Sequence, residues 1–341
     1  MPNNFGISAL QKIQIGVETA AGLASDPTTT VFVGNPGMLK DNLKLVFPDE
    51  KVGILTKTTR SYIPVTGGEI TLSGETNFEQ LPYILNSGLY RVAKTTDTNP
   101  GTGNIRTWNM QCVSSDPVNT TDLDTLSIQG GDDVEVEQAH FGFIDSFTLA
   151  GSQGNALTCS AHVITRAIST DTGFDSVSIP TVETILFSAS YLYIDPSTDA
   201  PGTTAKSETM LDVNLVVTTG WKTIAAKDNR TDFSNIKNTG GSAKLDITFE
   251  HNASSIAEKT AWRAQTERVL RLKFVGSALT AAGAYTYKTF IVDLYGKWES
   301  FEALGDQDGD TICKGTFDAK YATGPGKMGT FVIVNNLASL P

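Results

Sequence analysis

Short runs in which apolar and polar residues alternate recur along the whole chain. A period of two is what a strand with one buried face requires. Ile70 and Leu72 share one side of residues 69–73, and Leu245, Ile247 and Phe249 alternate with Lys244, Asp246 and Thr248. Leu270, Leu272 and Phe274 alternate with Arg271 and Lys273, and Val134 and Val136 with Glu135 and Glu137. Residues 289–295 and 331–334 are denser in apolar side chains and read as strands covered on both faces. The pattern predicts a mainly β fold.

Composition supports it. Charged residues are 18% of the chain, against roughly 25% in an average globular protein. Thr, Ser, Gly and Asn take their place, Thr favouring strands and Gly and Asn serving turns. The length of 341 residues suits two domains, expected at 1–175 and 176–341. A net charge of −11 argues against gripping DNA or an anionic membrane by bulk attraction, though not against DNA sliding past. The three cysteines, Cys112, Cys159 and Cys313, have no ligand-like spacing, and an odd count points to a reducing cytosol. Residues 1–22 lack a basic head followed by an apolar stretch, and no run of 18 apolar residues occurs, so neither signal peptide nor membrane span is expected.

Two helices are expected. Residues 255–267 open with Ser255 and carry Glu258 three positions on, a capping box. Ile256, Ala257, Thr260, Ala261 and Ala264 form a shallow face suited to lying against a sheet. Residues 77–85 place Phe78, Leu81 and Leu85 at helical spacing, with a start near Gln80 to accommodate Pro82 and Gly88 as C-cap. Residues 94–106 and 195–207 are polar and turn-rich and read as exposed loops. Strand-like runs flank the second, predicting an extended β-hairpin arm.

The two halves share an order of elements. A strand at 69–73 leads into the first helix and later into residues 140–149, a glycine turn and residues 157–161; a strand at 245–249 leads into the second helix, then into 293–301, a turn and 311–317. Ser146-Phe147 and Ser300-Phe301 lie 154 residues apart, whereas the strand–helix units lie about 175 apart, so the first half carries a longer insertion. A repeated β unit with similar edges can pair with copies of itself and so hide edge strands.

Residues that could carry chemistry are few. Asp306, Asp308 and Asp310 resemble the start of a calcium loop, but Gly309 falls one position early and Phe317 occupies the closing position, so an Asp/Gly hairpin turn is the expectation. His140, His162 and His251 are scattered and show no third ligand; no metal and no cofactor are expected. No nucleophile elbow, P-loop, zinc-protease motif or dinucleotide fingerprint occurs, which argues against an enzyme. Asp132, Asp133, Glu135 and Glu137 form an acidic patch, either a solvated strand face or, in a ring, a wall of a negatively charged channel. Phe147, Trp298 and Phe301 read as core or interface aromatics.

Residues 13–22, the run 142–149 through 154–158, and the ending 295–321 with 332–337 resemble the major tail tube proteins of long-tailed, non-contractile bacteriophages. That resemblance implies a β-sandwich unit with a flanking helix that contributes a four-stranded sheet to an oligomeric tube wall, and the internal repeat makes the expectation here tandem units of that kind. It implies a virion protein of the tail, assembled in the host cytoplasm, whose stacked rings form the channel for DNA ejection. Its partners would be other copies of itself, the tape measure and tail terminator proteins, and transiting double-stranded DNA held without tight contacts. Most members carry one unit and form hexamers, so two units per chain imply a trimer of pseudo-hexameric symmetry. Asp145, Asp293 and Glu299 join the acidic patch as lumen-wall candidates, and Asp195, Asp199 and Lys206 become ring-to-ring contact candidates. Rival expectations are a capsid decoration or baseplate protein and a carbohydrate-binding or adhesive β module.

Overall fold

The computed structural model describes residues 5–23, 27–92, 104–110, 123–226, 229–280 and 283–337. Cys112 and most of the loop expected at 94–106 lie outside the described residues. The alternating runs at 69–73, 244–249 and 270–274 are strand, whereas of 134–137 only Val136 and Glu137 are, because Asp132 accepts from the Val134 and Glu135 amides and holds that stretch in a turn. The first repeat contains β1 (Lys12–Val17), β2 (Thr30–Val31), β3 (Lys40–Asp41), β4 (Lys44–Val46), β5 (Tyr62–Val65) and β6 (Gly68–Glu75). Helix α1 (Leu81–Gly88) follows, then β7 (Tyr90–Val92), β8 (Asn104–Met110), β9 (Leu126–Gly131), β10 (Val136–Ser152), β11 (Thr158–Thr165) and β12 (Ser169–Asp171). The second contains β13 (Ser190–Pro196), β14 (Met210–Thr218), β15 (Trp221–Ile224), β16 (Asn235–Asn238) and β17 (Ser242–Glu250). Helix α2 (Ala253–Arg263) leads to β18 (Arg268–Ala278), β19 (Tyr287–Phe301), β20 (Gly305–Gln307), β21 (Asp310–Ala319) and β22 (Gly329–Asn335).

Eight strands form one antiparallel sheet in the order β3–β6–β11–β10–β14–β17–β21–β19, four from each repeat. β10 and β19 are long and belong to this sheet only by their second halves. The first half of β10 pairs with β9 and β12, and β9 with β1. The first half of β19 pairs with β18 and β22, which pair in turn with β13 and β8. Period-two alternation puts one face of the eight-stranded sheet into a single apolar core that draws on both repeats. Cys159, Leu149, Leu215, Leu245, Phe317 and Trp298 stand opposite one another across six strands, and all are buried.

The duplication is visible pairing by pairing. β1·β9, β3·β6, β4·β5 and β6·β11 recur as β13·β18, β14·β17, β15·β16 and β17·β21. β9·β10, β10·β11 and β10·β12 recur as β18·β19, β19·β21 and β19·β22. Registers match as well. A bulge between Ile144 and Ser146 recurs between Trp298 and Ser300, and the pair Phe147–Ala161 recurs as Phe301–Gly315, both 154 residues on. The β7–β8 insertion stands only in the first repeat, where the longer spacing requires extra chain. The boundary expected at 175/176 falls between β12 and β13, yet β10·β14, β8·β22 and the shared core fuse the repeats into one body.

Cys159 and Cys313 are equivalent positions of the two repeats, both free and buried. Burial pushes the Cys159 thiol up to about 12 and raises that of Cys313 as well. Both are expected to resist alkylation at pH 8 in the native protein and to react fully in denaturant. Peptide mass spectrometry after iodoacetamide treatment reads this directly, and rapid native labelling of Cys159 would contradict its placement.

Four local expectations change. α2 begins at Ala253, with Asn252 as N-cap accepting from the Ser254 and Ser255 amides; the capping box closes one turn early, between Asn252 and Ser255. Glu258 is thereby freed from the box and turned inward, and the small-residue face expected on a sheet faces solvent, with Ile256, Ala257, Thr260 and Ala264 exposed. α1 starts at Leu81, as Pro82 demands, and Gly88 is its last helical residue rather than a left-handed cap. Residues 104–106 are strand, and Arg106 is buried, donating to Asn335 Oδ1 and the Leu337 carbonyl.

The fourth is the arm. β13 and β14 do not pair with one another: β13 joins β18, while β14 joins β10 and β17. The polar loop between them folds back onto β13 through Lys206 N to Leu192 O (2.8 Å) and Ile194 N to Thr204 O (3.1 Å). Asp195 is the cause. Its fully buried carboxylate accepts from the Gly202, Thr203 and Thr204 amides and the Thr203 hydroxyl. The Asp/Gly turn is found as expected: Asp308 (φ 55°) and Gly309 (φ 93°) make a two-residue hairpin between Gln307 and Asp310.

Candidate assembly interface

The two repeats meet where β14 continues the sheet past β10. Phe147 stands opposite Val217, and Leu149 opposite Leu215. Thr219, just past β14, secures the seam by donating its amide to Asp145 O (2.9 Å) and its hydroxyl to Ile144 O (2.7 Å). The β15–β16 hairpin then lies on the first repeat. Trp221, Phe233 and Ile236 form a buried cluster with Leu123, Phe141 and Phe143, where Phe233 meets Phe141 edge-on at 5.0 Å. Trp221 Nε1 donates to the carbonyl of Gly88 at the end of α1 (3.0 Å), and the Arg166 guanidinium donates to Phe233 O and Ser234 O across the seam.

Among the described residues, each half of this junction exists a second time without its counterpart. β19 is the equivalent of β10, and from Lys297 to Phe301 it pairs with β21 alone. β3 is the equivalent of β14, and it pairs with β6 alone. The sheet thus ends in two open edges among the described residues, with Met38, Lys40, Asp41, Glu302 and Leu304 exposed along them. Unpaired edges are a liability in a monomer and a template for association.

The outward face of the eight-stranded sheet is polar and cross-linked. His162 contacts Asp145 (2.7 Å), Lys244 bonds Glu299 (2.7 Å), Thr316 donates to Asp246 (2.7 Å), and Lys40 pairs with Glu69. Asp145 and Glu299 occupy the equivalent bulges and are the two lumen-wall candidates on this sheet. Asp293 lies in the first half of β19, buried and held by the Arg271 guanidinium at 2.6 and 2.7 Å, so its charge is neutralised inside the protein. Asp132, Asp133 and Glu135 sit at the β9–β10 turn. There Asp132 accepts from the Val134 and Glu135 amides, which hold its carboxyl below the usual range. Glu137 is half-buried, and burial, with Asp41 and Glu135 nearby, raises its pKa.

Of the expected ring-to-ring residues, Asp199 is exposed, whereas Asp195 closes its own loop and Lys206 reaches inward to Glu258 (3.4 Å). Phe147, Trp298 and Phe301 are core, and Trp298 touches Phe249, Phe301 and Phe317. His140 lies 3.7 Å from Glu18 and His162 contacts Asp145, so the histidines flanking the β10–β11 hairpin face different carboxylates and do not meet.

Sequence patterns alone missed the β4–β5 hairpin, although alternation at Leu43, Leu45 and Phe47 marks its first strand. They also missed the buried carboxylate of Glu18, which accepts from the Gly22 and Phe141 amides and the Thr125 hydroxyl; no local pattern carries that signal. Compared with protein-family models and with curated proteins, the chain matches none.

Proposed function

We propose that this chain is a self-assembling structural protein of a virion, the major tail tube subunit of a long-tailed phage, and that its rings form a channel for DNA. One observation carries the reading: an eight-stranded sheet built of two equivalent four-stranded halves, joined by a seam whose two faces are both left open at its ends. An interface between unlike surfaces repeats head to tail and closes into a ring when the rotation allows. Carrying the internal register across places Phe301 of one copy opposite Asp41 of the next, and Glu302 opposite Lys40, an oppositely charged pair. Three copies supply six units. The polar face of the sheet would line the bore, where mixed and partly paired charge offers phosphates little to hold.

Electron microscopy and native mass spectrometry of the purified protein test this. Hollow tubes with three-chain rings are expected; a monomer at every concentration, closed capsomer-like particles, or rings of six chains with six equal lobes would each count against it. Glu302 N donates inward to Lys314 O, so the next residue, Ala303, presents its amide to the open edge. Ala303→Pro is therefore expected to abolish tubes while leaving the circular dichroism spectrum unchanged, and tubes of normal length from this variant would refute the edge pairing.

A further inference from the structure

The last strand of the second repeat pairs with the insertion of the first, and two side chains of complementary reactivity meet there. β22 runs antiparallel to β8, with Thr330 opposite Asn109 and Gly329 opposite Met110. Lys327 stands just before β22. Its carbonyl accepts from Ala322 N (3.1 Å), and the next amide, Met328 N, donates to Met110 O (2.8 Å), so its backbone is held on both sides. Lys327 Nζ lies 3.1 Å from Asn109 Oδ1, across 218 residues of chain. The Thr330 hydroxyl donates to the same oxygen at 3.2 Å, and Asn109 is buried. Both partners are donors, which assigns that atom as the amide oxygen rather than the nitrogen.

Other inward-reaching lysines are held as ammonium ions by acids. Lys206 faces Glu258, and Lys288 bridges Glu79 (2.6 Å) and Glu183 (2.9 Å). Lys327 has no carboxylate within ion-pair distance among the described residues, and its hydrogen bond goes to a neutral amide. Asp293, opposite Thr330 on β19, is already engaged by both nitrogens of the Arg271 fork. Burial therefore prevails over the pull of Asp293 and lowers the Lys327 pKa, which enlarges the fraction of free amine. A free amine is a nucleophile, and the carbonyl carbon Asn109 Cγ lies one bond behind the oxygen that Nζ already touches. The Thr330 hydroxyl is placed to hold the charge that would develop on that oxygen. A carboxamide is inert to dilute amines, so the reaction needs the pair held together, as the β8–β22 pairing holds it.

We propose that Lys327 and Asn109 join in an isopeptide bond that staples the first repeat to the second. Neutral Nζ adds to Cγ, the Cγ–Nδ2 bond breaks, and ammonia leaves with a proton given up by Nζ; the step needs no oxidant, reductant or cofactor. The bond closes a loop of 218 residues within one chain and locks the β8–β22 pairing, so it stands apart from the tube reading. Intact-mass spectrometry of the full-length protein tests it, after incubation at about pH 9 to favour the free amine and unfolding in acid. The expected mass is that of the sequence less one ammonia, and digestion should yield a branched peptide in which Lys327 Nζ is acylated by residue 109. Lys327→Arg and Asn109→Ala should each restore the full mass. The arginine variant keeps a donor for Asn109 and should retain the wild-type circular dichroism, which separates loss of the bond from loss of the fold. Thr330→Val keeps the side-chain shape and should slow bond formation on the order of a hundredfold, the cost of losing one donor to a developing oxyanion. A full sequence mass in the wild-type protein, or an ammonia loss that persists in both the arginine and alanine variants, would overturn the proposal.

Discussion

Glu258→Ala is expected to destabilise the protein by about 3–5 kcal/mol, the cost of removing one partner from a buried ionic cluster. Glu258 is 2% exposed. One carboxylate oxygen accepts from Arg268 Nε and from Trp298 Nε1, both at 3.1 Å, and the other lies 3.4 Å from Lys206 Nζ. Truncation leaves two half-buried cations and a buried indole N–H without their acceptor. The cluster ties α2 to β18, to β19 and to the end of the folded-back loop, so the loss should appear as a single cooperative shift in the urea midpoint. Glu258→Gln keeps an acceptor for Trp298 and should cost less than alanine. Equal midpoints for wild type and alanine variant would mean that the cluster is solvated.

Asp195→Ala carries the second large effect, about 3 kcal/mol, from orphaning donors that now bond a buried carboxylate. Burial pushes this carboxyl upward, but the hydrogen bonds from Thr203, Thr204 and Gly202 outweigh it, and the net pKa lies below the ordinary 3.8. A depressed carboxylate pKa contributes stability that is complete above the ordinary value and is lost as pH falls through the lower, folded one. Residues 196–206 should therefore be protected from hydrogen exchange at neutral pH and lose that protection in acid. The alanine variant should exchange rapidly in this segment at every pH. A loop equally protected in both proteins would show that Asp195 does not hold it.

This loop shows where sequence reasoning stopped. Its composition correctly marked a surface connection, and nothing local disclosed that Asp195 would turn inward to organise it. The same holds for Glu258, which at its spacing from Ser255 is an ordinary capping-box glutamate. Asn252 is the better cap in this geometry, and once it starts the helix one turn earlier, Glu258 falls on the buried face with Ser255 and Ala261. Alternation, by contrast, needs no partner to be read, and the strands at 244–249 and 270–274 appear where it places them, as does the one that the dense apolar run at 289–295 marks. The repeat was legible too, because Ser146-Phe147 and Ser300-Phe301 mark equivalent bulges, the positions at which the sheet constrains the chain most tightly.

What the sequence by itself determined is the mainly β character, the strand positions and the presence of two similar halves, since these follow from side-chain periodicity and spacing along one chain. Only the tertiary structure decided that the halves share one sheet and one core, that β13 and β14 separate to different partners, and that one hairpin is seated while its twin is bare. Those outcomes depend on which edge finds which partner, and strands many residues apart carry no mark of that choice. The edges and the hairpin left without partners among the described residues are equally a property of the fold, because exposure is defined only once everything else has been buried.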